Sequence, residues 1–93
     1  MTTRVRRSRR AALEIDEIAF YLAEHSPPAA ERFLEALERA ARQLSQFPNA
    51  GAPGILPGVR RLIVGNYILS YRRRGEDVEI FAVRHARRSD ARL

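Results

Sequence analysis

His25 and His85 are the only histidines, and no cysteine accompanies them. A zinc site needs more ligands at tighter spacing, so metal binding is not expected. His85, Ser89 and Asp90 crowd one terminal segment. A nucleophilic triad is assembled from distant positions, and nothing here orients the serine. Asp16 and Glu17 are adjacent and point about 100° apart on a helix, a poor arrangement for a general acid/base pair. Gly51, Gly54 and Gly58 punctuate a loop and do not follow a strand in the pattern of a phosphate-binding turn. The residue types left to carry function are the arginines.

All 17 basic residues are arginine, and the formal net charge is +6. Such a field favours nucleic acid or an acidic protein partner, and the planar guanidinium suits bidentate contact with phosphate or carboxylate. Arg4, Arg6, Arg7, Arg9 and Arg10 crowd the start, Arg60 and Arg61 stand together, and Arg72, Arg73 and Arg74 form a run. Arg84, Arg87, Arg88 and Arg92 close the chain. Adjacent antiparallel strands would bring some of these clusters together. Tyr67 and Tyr71 fall on one strand face and read as core, which argues against a stacking platform for single strands.

The elements that position these groups are legible. Val5 between Arg4 and Arg6 marks a short strand, and Ser8 offers a cap oxygen to the helix that follows. Ala11, Ile15, Ile18, Ala19 and Leu22 recur at helical spacing over about Arg9 to Glu24, with Leu13, Phe20 and Tyr21 widening that face. Pro27 and Pro28 end this helix, and Ser26 and Pro27 can open the next. Ala30, Phe33, Leu34, Leu37, Ala41, Leu44 and Phe47 then repeat at three- and four-residue steps, with Glu35–Arg39 and Glu38–Arg42 pairs on the wet side. The short link makes the two helices an antiparallel hairpin. Pro48 to Gly58 is the longest loop. Strands are expected at Val59–Val64, Tyr67–Arg72 and Val78–Arg84, joined by turns at Gly65-Asn66 and Arg74–Asp77. Ninety-three residues make a single domain, 1–93, of α+β class. The absence of cysteine, of an apolar signal core and of a long apolar run points to a cytoplasmic protein with no membrane association.

Period two assigns the strand faces. On the middle strand Tyr67, Leu69 and Tyr71 oppose Ile68 and Ser70; on the last, Val78, Ile80 and Ala82 oppose Phe81 and Val83. Strands apolar on both faces need cover on both, and a helical hairpin covers one. A second polypeptide is expected on the other.

Three stretches carry a resemblance. Arg9-Arg10-Ala11 leads into Ile15-Asp16-Glu17-Ile18; Gln46-Phe47-Pro48-Asn49-Ala50-Gly51 follows; Tyr67 to Arg72 and Val83-Arg84-His85 come last. Their order and spacing, over about Val5 to Arg88, resemble the RelE/ParE toxins of type II toxin–antitoxin pairs. The resemblance implies a short N-terminal strand, an antiparallel helical hairpin and three antiparallel strands in one small sheet packed on the helices. It also implies a cognate, ParD-like antitoxin that wraps the toxin as a hetero-oligomer, and no cofactor.

RelE-like members cleave mRNA on the ribosome and commonly carry an arginine three residues before the middle-strand tyrosine. Here Ile68 stands there, before Tyr71, and the tail Asp90-Ala91-Arg92-Leu93 has no tyrosine. His85 would be the catalytic candidate in that branch. ParE-like members resemble the chain better and imply inhibition of DNA gyrase without enzymatic activity. An antitoxin-binding relic without toxicity is a third reading. We assign target contact to Arg84, His85, Arg87 and Arg88, and antitoxin contact to Arg60, Ile68, Ser70, Arg72, Ile80 and Ala82.

Overall fold

The computed structural model describes residues 2–91; Arg92 and Leu93 of the basic tail lie outside the described residues. Strand β1 (Val5–Arg7) leads into helix α1 (Arg9–His25), and α2 (Pro27–Gln46) returns antiparallel to it. Strands β2 (Ala52–Pro53), β3 (Val59–Val64), β4 (Tyr67–Arg74) and β5 (Asp77–His85) complete the chain. They form one sheet in the order β1-β5-β4-β3-β2, with β1 parallel to β5 and the other pairs antiparallel. The expected α+β architecture is present, with one addition. Within the expected loop, Ala52 and Pro53 pair with Arg61 and Arg60. A two-residue edge strand ending in proline leaves too little periodicity to read.

Local chemistry explains the element ends. The Ser8 hydroxyl accepts from the Ala11 amide at 3.1 Å, as expected of a helix cap. Ser26 opens α2 without a side-chain bond; its carbonyl accepts from Ala29 and Ala30 while Pro27 supplies a preset φ. Gly65 starts the β3–β4 turn at φ +60°, a conformation that side chains with a Cβ rarely adopt.

The core lies between the helices and one face of the sheet. Ala11 and Ile15 of α1, and Phe33, Leu37, Ala40 and Leu44 of α2, meet Val64, Leu69, Tyr71, Val78, Ile80 and Val83. Three sequence expectations fail at its margins. Leu13, Phe20 and Tyr21 stand outside it, each more than half exposed. Leu34 and Phe47 are likewise exposed, and Ala40 rather than Ala41 enters the core. Glu38 pairs with Arg7 of β1 at 3.9 Å rather than with Arg42.

The largest correction concerns β5. Tyr71 pairs with Ile80 and Ser70 with Ala82, so Phe81 is an extra residue opposite that step. Such a bulge reverses the alternation beyond it. Val83 therefore joins Val78 and Ile80 against the helices, while Ala82 falls on the far face with Ile68 and Ser70. Ile80, assigned above to antitoxin contact, belongs to the helix-facing core and is 2% exposed. Nor is the far face bare at its centre: Ile68, Ser70 and Ala82 are 3%, 1% and 1% exposed within this single chain. Ser70 and Ala82 are small and sit opposite one another. Arg72, stacked 5.0 Å over the Phe81 ring, flanks them at one end, and Ile68 lies opposite Arg84 at the other. Ile63, 77% exposed, is the large apolar residue left open on β3.

Candidate functional site

A cleft of about 960 Å³ opens between α1 and the C-terminal end of β5. Arg9, Arg10, Leu13, Glu14, Glu17 and Tyr21 of α1 form one wall. Tyr67, Val83, Arg84, His85 and Arg88 form the other. The topology makes the cleft: β1 ends at Arg7, opposite Ile80, so β5 runs beyond its neighbour and its outer edge faces α1. The exposed Leu13 and Tyr21 give this wall an apolar lip, which explains why they fall outside the core.

Glu14 closes the free edge. One carboxylate oxygen accepts from the Val83 amide at 3.0 Å, and the other from Arg84 Nε at 3.1 Å. Arg10, one helical turn back, lies 3.7 Å from the same carboxylate. Arg84 is 4% exposed and also donates through Nη1 to the Asp90 carbonyl at 2.9 Å, with the Asp90 carboxylate at 3.5 Å. Arg88 bonds that carboxylate at 2.8 Å. Burial opposes the Asp90 charge, but the hydrogen bond from Arg88 and the positive charges of Arg84 and Arg88 outweigh it and hold its carboxyl below the ordinary range.

The four residues assigned to target contact thus divide. Arg84 is buried and committed to Glu14 and Asp90. His85 is half-buried: its ring lies edge-on to Tyr67 at 5.3 Å, and Nδ1 accepts from the Arg87 amide at 3.1 Å. Burial, then the neighbouring Tyr21, pushes the Tyr67 phenol above its usual range. Arg87 and Arg88 are exposed. Arg88 joins Arg9 and Arg10 in a basic rim to the cleft, exposed Arg87 stands next to it in the chain outside the lining, and neither Arg9 nor Arg87 has an ion-pair partner among the described residues.

The six antitoxin candidates scatter. Arg60 points to the loop, donating to the Gly51 carbonyl at 2.7 Å. Arg72 is exposed and bonds Glu79 at 3.3 Å. Ile68, Ser70 and Ala82 do share one face, buried as described, and Ile80 lies on the other. Among the described residues, no group of three or more histidines, cysteines or carboxylates could hold a metal ion.

Glu14 is the residue that reading the sequence for charge missed. Its signal is positional: it follows Ala11 by three and precedes Ile18 by four, which places it on the buried face of α1.

A small basic α+β fold with an arginine-rimmed cleft at one end of its sheet defines the class. Residues 5–90 match the family model described as the ParE toxin of the type II toxin–antitoxin system parDE, and the chain belongs to that family. It is the toxin component of such a system, with an antitoxin as its partner. A protein of Sinorhizobium fredii named "Putative toxin Y4kP" is 36% identical over 85 residues, covering 89% of this chain and 88% of that protein. A solved structure titled "Chromosomal ParDE TA system from P. aeruginosa" matches with a TM-score of 0.80 at 24% identity, over 90% of this chain and 96% of that one. This likeness establishes the fold.

Proposed function

We propose that the chain inhibits DNA gyrase and is neutralised by a ParD-like antitoxin. Membership of the ParE family is the observation that carries this reading. The basic rim of Arg9, Arg10 and Arg88, with exposed Arg87 next to it in the chain, supports it: guanidinium groups beside an apolar lip suit an acidic protein surface or a phosphate backbone. Ile68 supports it too, because the position that carries arginine in the RNA-cleaving branch is here apolar and buried. His85, the catalytic candidate of the alternative reading, has Nδ1 engaged by a backbone amide. Exposed Leu13, Phe20, Tyr21 and Leu34 on the helical hairpin, with Ile63 on the sheet, offer the antitoxin more apolar surface than the buried centre of the far face.

The test sets the two branches side by side. Purified protein is added to gyrase, ATP and plasmid, and in parallel to a translating ribosome extract. Loss of supercoiling, with linearised plasmid accumulating, is the expected result. Cleaved message with unaltered supercoiling would overturn the reading.

A further inference from the structure

We propose that Arg84 is a positioning residue that latches the C-terminal tail onto α1 and thereby presents Arg88 at the rim of the cleft, with exposed Arg87 beside it; the functional half of this inference rests on the gyrase reading. The geometry is specific. Arg84 is 4% exposed, too buried to meet a protein-sized target. Its guanidinium fork has two limbs. Nε is held by Glu14 of α1 at 3.1 Å, and Nη1 reaches the Asp90 carbonyl at 2.9 Å. Arg84 therefore ties the end of β5 both to α1, 70 residues away in sequence, and to the tail, six residues on.

From His85 to Ala91 the backbone makes two tight turns, Arg88 amide to His85 carbonyl and Ala91 amide to Arg88 carbonyl. Turns this short do not hold themselves in water without an external tie. Asp90 passes the constraint on, because its carboxylate bonds Arg88 at 2.8 Å. Ala91, 1% exposed, anchors the far end. A lysine at position 84 would keep the charge for Glu14 but could not span both partners, because an ammonium is one point and a guanidinium is a fork.

The experiment compares the full chain with Arg84→Lys, Arg88→Ala and the double variant. Two readouts are taken: amide hydrogen exchange at Arg88 and Ala91, and the concentration that half-inhibits supercoiling. Arg84→Lys should raise exchange at those two amides by about tenfold while amides within β4 stay unchanged. It should also weaken inhibition by about tenfold. The double variant should be no weaker than Arg84→Lys within about twofold, because both changes remove the same presentation.

Unchanged exchange in Arg84→Lys refutes the latch, whatever the target. Faster exchange with unaltered inhibition, or strictly additive losses, refutes its functional role. If the unaltered chain does not inhibit gyrase, the gyrase reading fails while the exchange measurement still decides the latch. Arg84→Met separates folding from latching. If it unfolds the protein where Arg84→Lys does not, the Glu14 limb carries the fold and the Asp90 limb carries the tail; an equally folded Met variant with unchanged tail exchange counts against the latch.

Discussion

The two faces of the sheet are built from different materials. The helix-facing side is a continuous apolar core, with Leu69, Tyr71, Val78, Ile80 and Val83 set against Ile15, Leu37 and Leu44. Its one buried polar contact is completed: the Tyr71 hydroxyl accepts from the Gly51 amide at 2.9 Å. The far face is as well buried at its centre but is assembled from small and charged groups. Ser70 and Ala82 lie between the Arg72–Phe81 stack and the Arg84 network. The Ser70 hydroxyl has no hydrogen-bond partner there. One face is held by area removed from water, which tolerates no gaps; the other depends on a few directional contacts made by Arg72 and Arg84. Equal burial therefore does not mean equal strength.

That contrast can be broken at graded cost. Leu37→Ala should lose about 2–5 kcal/mol by opening a cavity in the continuous core; an unchanged melting temperature would contradict the helix face. Tyr71→Phe should cost about 1–3 kcal/mol, because the Gly51 amide would be left buried without an acceptor. The same site explains Gly51: a Cβ there would sit 2.6 Å from the Arg61 carbonyl and 2.9 Å from the Tyr71 hydroxyl.

Ser70→Ala removes a hydroxyl that makes no bond, so stability should stay level or rise by up to about 1 kcal/mol. A clear loss in denaturant unfolding would show that the hydroxyl has a partner. The smallest effect is acid sensitivity of the tail. The folded Asp90 carboxyl lies below its ordinary value of 3.8. Its contribution is therefore complete above that value and fades as pH falls through the lower folded one. The protection of the Ala91 amide, its exchange rate relative to the intrinsic rate at each pH, should be constant from neutral pH down to the ordinary carboxyl value of 3.8 and fall only below it. An Asp90 resonance titrating above 3.8 would contradict the bonding described.

Regular elements were legible because their signals are periodic. The α2 stripe through Phe33, Leu37 and Leu44, and the Gly65-Asn66 turn, rest on spacing alone. What could not be read depends on single-residue irregularities. Phe81 looks like one more member of an alternating strand, and only pairing with β4 reveals it as a bulge; Ile80 and Ala82 could not then be assigned to their correct faces. Arg84 looks like any member of a basic cluster, because its burial arises from Glu14, distant in sequence. Leu13 and Tyr21 share the hydropathy of core residues but border a cleft left by a three-residue β1. Charge pointed to the cleft end of the molecule without separating the arginine that holds it together from those that reach outward.

Supercoiling inhibition by an Arg87→Ala/Arg88→Ala variant, beside a Glu35→Ala/Glu38→Ala control on the outer face of α2, tests the central claim most directly. The arginine variant should need about tenfold more protein for half-inhibition, with the control unchanged. Equal potency of the two variants would show that the basic rim is solvated surface and that the toxin acts through another part of the molecule.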